Sequence, residues 1–192
     1  MRIILGSQSP RRKEILSYFS LPFEQISPDA DERIDEAVPD VAAEKLARKK
    51  AEAFSHYGDD TIVITADTIV AIENKLLGKP SDEGEAAAML EQLSGKWHVV
   101  VTGVAVKKGD KLYSGTSKTD VLFHSVSAEQ IAAYLRQLHC GDKAGGYAIQ
   151  GAGGIIVKEI RGCYANVMGL PIALLTNLLS KVGIDLWNFL KA

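Results

Sequence analysis

The chain has 192 residues, 46% hydrophobic and 24% charged, with a formal net charge of −2 at pH 7. That suits one globular domain over residues 1–192 with a sizeable core, and it excludes a protein that coats polyanions or membrane surfaces. Any nucleic-acid component is then a small nucleotide held by a local basic cluster. Cys140 and Cys163 form no CxxC and sit near no histidine pair, so neither a zinc site nor a disulfide framework is expected. Reduced thiols and a cytoplasmic location are the default. The opening apolar run is too short for a signal peptide, and no stretch approaches the ~20 apolar residues of a membrane span.

Arg2-Ile3-Ile4-Leu5 reads as a buried strand that Gly6 breaks. Ser9 then caps a helix, roughly Pro10 to Phe19, with Pro10 in its first position. Arg11 and Arg12 follow in the first turn, where cations oppose the helix dipole. Two readings stand: an anion bound by the helix start and both guanidinium groups, or a capped surface helix with solvated arginines. Leu21 to Ile26 reads as a second strand that runs into an acidic loop, Ser27 to Arg33. A helix starts near Pro39, with Val41, Ala42, Leu46 and Ala47 on its apolar face and Arg48-Lys49-Lys50 at its far end.

Thr61 to Ala66 is β-branched and apolar, a buried strand interrupted by Asp67-Thr68 and resumed by Ile69 to Ile72. Gly78-Lys79-Pro80 is a loop, and Ser81 caps the next helix, with Asp82 and Glu83 in its first turn. Trp97 to Val106 is a long strand. Lys107 to Lys111 forms a hairpin turn, and Leu112 to Phe123 returns antiparallel. Ser127 caps a helix through Leu138, and the glycine-rich Asp142 to Gly154 follows. Ile155-Ile156-Val157 reads as a buried strand, Ile160 to Asn166 as a turn region, and Val167 to Val182 mostly as a helix. The sum is an α/β protein with a mixed, elongated central sheet flanked by helices. The hairpin and the helix after it make the natural second lobe, with a cleft between the two lobes.

The residues fit for chemistry lie at strand ends and glycine loops, where α/β proteins keep their sites. Asp67 sits in an apolar run, where a carboxylate is costly unless paired or metal-bound. It reads as a general base or metal ligand, or as a turn residue bonded to backbone. Thr68 beside it offers a hydroxyl. Glu32, in the cluster Asp29, Asp31, Glu32, is a solvated acid or, with Asp67, a hard-oxygen ligand for one Mg²⁺. Lys50 and Lys79 are solvated lysines or, converging with Arg12, a triphosphate-sized cationic cluster. The glycine loop carries Lys143, Tyr147 and Gln150 but matches neither a Walker loop nor a dinucleotide fingerprint. Gln150 has the donor and acceptor needed to read a base edge.

These places, in this order, resemble the Maf family of nucleoside triphosphate pyrophosphatases, the septum-formation inhibitor proteins. The carrying segments are Ser7-Gln8-Ser9-Pro10-Arg11-Arg12, Leu46-Ala47-Arg48-Lys49-Lys50-Ala51, Ala66-Asp67-Thr68-Ile69-Val70, Gly78-Lys79-Pro80 and Thr102-Gly103-Val104. They continue with Asp142 to Gly151 and Asn166-Val167-Met168-Gly169-Leu170-Pro171. Gly6, Leu77 and Cys163 depart from the residues usual in the family.

The resemblance implies a cytoplasmic enzyme akin in fold to the inosine triphosphate pyrophosphatases. Such an enzyme uses a divalent cation, Mg²⁺ or Mn²⁺, to cleave a nucleoside triphosphate to monophosphate and pyrophosphate. It implies Asp67 as catalytic residue, Ser7, Arg12, Lys50 and Lys79 as phosphate-binding, and Glu32 with Asp67 at the metal. The Tyr147-Ala148-Ile149-Gln150-Gly151 segment resembles the dTTP/UTP subclass, whose specificity positions fall on Arg11, Thr68 and Gln150. The implied partner is the nucleoside triphosphate. A homodimer stays open, and no polymeric nucleic acid or membrane is called for. The alternative is a non-catalytic nucleotide-binding regulator of septum formation.

Overall fold

The computed structural model describes residues 2–191 other than 32, 34, 35, 74 and 139. In chain order the elements are β1 (Arg2–Gly6), α1 (Pro10–Leu16), β2 (Glu24–Ile26), α2 (Pro39–Glu52), β3 (Thr61–Ile72) and β4 (Lys75–Leu77). Then come α3 (Glu83–Leu93), β5 (Trp97–Lys108), β6 (Lys111–Phe123), α4 (Ala128–Leu138), β7 (Val157–Arg161), α5 (Tyr164–Met168) and α6 (Ile172–Ser180). The strands form one mixed sheet in the order β2-β1-β3-β5-β6-β7, with β4 also on β3. β1 runs parallel to β2 and β3, and the remaining pairs are antiparallel. Among the described residues no helix is long and apolar enough to cross a membrane.

β3 is the strand that positions everything else. The sequence suggests a break at Asp67-Thr68, but the strand runs unbroken from Thr61 to Ile72. What breaks is its partner on one edge. β1 pairs as far as Gly6↔Thr65, and β4 begins at Val70↔Leu77. Between them, 66–69 meet no described strand on that edge. The opposite edge stays paired with β5 throughout, including Asp67↔Gly103 and Thr68↔Thr102. The interruption read in the sequence is therefore a gap in the sheet beside an intact strand.

The two faces of β3 follow from its two-residue alternation. Ile62, Ile64 and Ala66 pack with Leu5, Ile15, Leu16, Leu175 and Leu179 in one core. Val70 and Ile72 pack with Leu90, Leu93, Val100 and Tyr134 in a second core. Thr68 lies on that face between the two. On the other face α2 packs Leu46 against Ile69 and Val101, and Ala47 and Ala51 against Ala105. Thr65 Oγ1 donates to the Ala47 carbonyl at 2.7 Å and ties that helix to the strand.

Gly103 sets the height of α2 above the sheet. A Cβ there would lie 2.2 Å from the Ala43 carbonyl oxygen and 2.7 Å from the Glu44 nitrogen, both backbone atoms that cannot swing aside. Gly103→Ala therefore lifts α2, and urea unfolding is expected to show a loss of about 1–3 kcal/mol. At Gly115 a Cβ would meet the flexible Leu174 Cδ1 at 3.2 Å, so Gly115→Ala is the milder control.

Several local expectations shift. α1 ends at Leu16 and β2 holds only Glu24–Ile26. Asp82, not Ser81, caps α3, with its carboxylate accepting from the Glu85 N–H at 2.8 Å. Ser81 instead donates its N–H and hydroxyl to the Glu85 carboxylate, each at 2.7 Å, which ties the residue before the cap to the first turn. Ile155-Ile156-Val157 is no buried strand: Gly151–Ile156 is a 3-10 segment, Ile155 is 77% exposed, and β7 starts at Val157. The chain folds back tightly there, since a Cβ on Gly153 would lie 2.4 Å from the Ala148 carbonyl oxygen. The turn region expected over Ile160 to Asn166 instead holds the end of β7, through Arg161, and the start of α5 at Tyr164. Gly169, at φ 105°, closes α5 with its N–H on the carbonyls of Ala165 and Asn166, and α6 starts only at Ile172.

Candidate active site

The gap beside β3 opens into a cleft of about 520 Å³, within the range of small-molecule sites. Ser7 to Arg12, leaving the end of β1, form one wall. Asp67 to Val70 form the floor, and Gly78-Lys79 with parts of Asp142–Ile149 form the far wall. The far wall holds together through the Gly145 N–H, which donates to the Gly78 carbonyl at 3.0 Å. Gly145 has φ 72°, and a Cβ there would crowd Val70 at 3.1 Å, so glycine serves both the turn and the close approach to β3. Tyr134 pins the same loop: its hydroxyl oxygen accepts from the Ala148 N–H at 3.1 Å.

The described lining carries five cationic side chains, Arg11, Arg12, Lys50, Lys79 and Lys143, against two carboxylates, Asp67 and Asp142. That excess of positive charge in a concave site favours a multiply charged anion. Asp67 points to the α2 face and forms an ion pair with Lys50 in the last turn of that helix. The two side chains are 14% and 6% exposed, so α2 brings a nearly buried ammonium onto the one carboxylate of the floor.

On the other face Arg12 is held at three atoms. Nε donates to the Gly169 carbonyl at 2.9 Å, Nη1 to Ser7 Oγ at 3.2 Å, and Nη2 to Thr68 Oγ1 at 3.2 Å. Arg12, a cation in the first turn of α1, thus folds away from the dipole and joins the residue after β1 to β3 and the end of α5. Ser7 Oγ also accepts from the Ser9 N–H at 3.1 Å. Among the described residues its own proton has no acceptor, which leaves it free to donate into the cleft.

Of the residues picked from the sequence, Ser7, Arg11, Arg12, Lys50, Asp67, Thr68 and Lys79 all line this cleft. Arg11 reaches Asp142 across it, 3.7 Å away. Gln150 does not line it: its side chain is bonded to Glu14 of α1 at 2.6 Å. Glu32 lies outside the described residues. Its neighbour Asp31 pairs with Arg33 and with Lys49 at 3.3 Å, which sets the acidic loop beside the turn of α2 that carries Lys50.

Three anchors behind the cleft, Thr102, Asn166 and Gly169, lie in segments that carry the family resemblance but have no role assigned from the sequence. Thr102 is a polar residue inside an apolar strand, the same signal that drew attention to Asp67.

Tyr147 joins the cleft to the interior. Its buried hydroxyl lies 2.9 Å from His98 Nε2, and Phe123 packs edge-on against both rings. Burial lowers the His98 pKa to about 4 and raises that of Tyr147. His98 is therefore neutral when folded and charges near pH 6.5 when unfolded. The unfolded state binds the extra proton between those values, so this group's stability contribution is present above pH 6.5 and lost as pH falls toward 4. The full loss is of order 3 kcal/mol. Urea midpoints for the wild type and His98→Gln are expected to diverge less at pH 4.5 than at pH 7.

Among the described residues no group of three or more His, Cys, Asp or Glu is placed to hold a metal. Asp67 alone suits a hard cation that keeps waters and takes its other ligands from bound phosphates, as Mg²⁺ does, rather than a protein cage. Both cysteine thiols are unbridged.

Comparison with known proteins agrees with the geometry. The model of the Maf-like protein family matches residues 2–182. A Bacillus cereus (strain AH187) protein named dTTP/UTP pyrophosphatase is 46% identical over 185 residues, 96% of this chain and 97% of its own. Relatives of the same name from Thermosipho africanus and Chlamydia caviae are 44% and 42% identical, covering 98% of this chain and 93% and 98% of theirs. Among solved structures, the Staphylococcus aureus Ham1 protein aligns with a TM-score of 0.42 at 18% identity, over 64% of this chain and 72% of that one.

Proposed function

The chain belongs to the Maf-like protein family, and from that premise we propose that it hydrolyses nucleoside triphosphates, dTTP and UTP foremost, to the monophosphate and pyrophosphate. The observation that carries this reading is the cleft at the gap of the sheet, where five cations surround a floor whose carboxylate is Asp67. Water attacks the α-phosphorus, a new P–O bond forms, and the bridging bond to the β-phosphate breaks so that pyrophosphate leaves. Asp67 takes the proton of the attacking water. Lys50 holds that carboxylate in place, and Arg12, Lys79 and the Ser7 hydroxyl meet the phosphoryl oxygens as charge builds there. A divalent cation, Mg²⁺ or Mn²⁺, would be held by Asp67 and the triphosphate, with Glu32 as a second carboxylate, and would supply charge neutralisation at the phosphates. Arg11 and Thr68, which line the cleft, are the residues proposed to select the base, joined by Gln150 once its side chain leaves Glu14.

The test is pyrophosphate release from each common nucleoside triphosphate, with and without Mg²⁺. Release from dTTP and UTP above the others supports the reading. Tight nucleotide binding with no release supports a non-catalytic regulator instead.

A further inference from the structure

We infer that Thr102 is a positioning residue that fixes the Thr68 hydroxyl as a hydrogen-bond acceptor toward the bound base, so that the N3–H of uracil or thymine is taken and cytosine refused. This deepens the pyrophosphatase reading and rests on it.

Thr102 is fully buried and its hydroxyl donates to the Asn166 carbonyl at 2.8 Å. A hydroxyl has one proton, so Thr102 has none left for Thr68, whose Oγ1 is 3.0 Å away. Thr68 must therefore be the donor in that pair. Its proton points inward, and one of its lone pairs already accepts from Arg12 Nη2 at 3.2 Å. The remaining lone pair is all that Thr68 can offer to the cleft it lines.

An acceptor has nothing to give an ionised triphosphate, which is itself all acceptor. Thr68 must then meet the nucleoside part, while Ser7, which retains its proton, meets the phosphates. Arg12 touches both hydroxyls and sits at the junction. Uracil and thymine carry a proton on N3, whereas N3 of cytosine is an acceptor and would face the Thr68 lone pair unpaired. Leaving such a pair unmet is the strong form of discrimination at a polar site.

The Asn166 carbonyl is itself anchored. The Asn166 side-chain Nδ2 donates to the Val100 carbonyl at 3.0 Å and to Thr119 Oγ1 at 2.9 Å. Thr119 Oγ1 accepts from the Cys163 N–H at 3.0 Å and donates to the Cys163 carbonyl at 3.1 Å. These bonds lock the start of α5 to β5 and β6, so the proton direction at Thr68 is set by the rigid part of the fold.

The test compares kcat/KM for UTP and CTP in the wild type, Thr102→Val and Thr102→Ser. Thr102→Val keeps the shape but frees the Thr68 hydroxyl to turn its proton outward. The UTP-over-CTP ratio is expected to fall by about tenfold, the worth of one hydrogen bond, while Thr102→Ser retains it. An unchanged ratio in a folded Thr102→Val protein overturns the proposal. N3-methyl-UTP on the wild type gives an answer that needs no variant. It lacks the donor, so it should be turned over at least about tenfold less efficiently than UTP, and equal efficiency overturns the proposal. A wild type that cleaves neither UTP nor CTP overturns the pyrophosphatase reading, and the proposal with it.

Discussion

Asp67→Asn is expected to lower turnover by about 10²–10⁴-fold, the usual worth of a well-placed general base, while UTP still binds. The amide keeps the shape of the carboxylate but cannot accept the proton of the attacking water. The location of Asp67 supports so large an effect. It stands on the floor where β3 has lost its partner on one edge, between the end of β1 and the start of β4, so water and phosphate can approach a residue that a paired edge would cover. Single-turnover pyrophosphate release and equilibrium binding of UTP, measured on the same preparation, separate loss of chemistry from loss of affinity. Near-normal turnover removes Asp67 from the role of base.

Lys50→Met should damage both stability and activity. Lys50 is 6% exposed and its partner Asp67 14%, so truncating the ammonium leaves a carboxylate largely out of water. Breaking a buried pair in this way costs about 3–5 kcal/mol, and the water-facing side of Asp67 puts the expected loss at the lower end. The double variant Lys50→Met, Asp67→Asn replaces both charges by neutral groups. It is expected to regain most of the stability in urea unfolding and none of the turnover. A Lys50→Met protein as stable and active as the wild type would mean that the pair neither supports the floor nor positions the base.

The outline of the fold was legible because hydrophobic pattern carries it. The runs Ile3 to Leu5, Thr61 to Ala66 and Val99 to Val106 are all strand, and the apolar face of α2 packs as its spacing suggests. Two misreadings share a cause. Asp67-Thr68 looked like a break and Ile155 to Val157 like a strand because local pattern is blind to pairing partners. Asp67 stays in strand since β5 pairs the other edge of β3 without interruption. Ile155 leaves the core since the glycines around it let the chain turn back on itself.

Polar residues at strand and helix ends, inside an apolar run and beside a loop glycine marked most of the site. Ser7, Lys50, Asp67, Thr68 and Lys79 come from four separate parts of the chain and meet at one cleft. What the sequence could not show was direction. Arg11 and Arg12 are adjacent, yet one turns to Asp142 across the cleft and the other inward to Gly169, Ser7 and Thr68. Gln150 had the chemistry to read a base, and its side chain rests on Glu14 outside the lining. The order of protons along Thr68, Thr102 and Asn166 depends on contacts between residues 34 and 64 positions apart, which no local pattern encodes.

Attack at the α-phosphorus is the step on which the proposed activity depends. Hydrolysis of UTP in ¹⁸O-labelled water tests that step by where the label appears. The prediction is label in UMP and unlabelled pyrophosphate as the other product. UDP with labelled inorganic phosphate would place the attack at the γ-phosphorus and contradict the account.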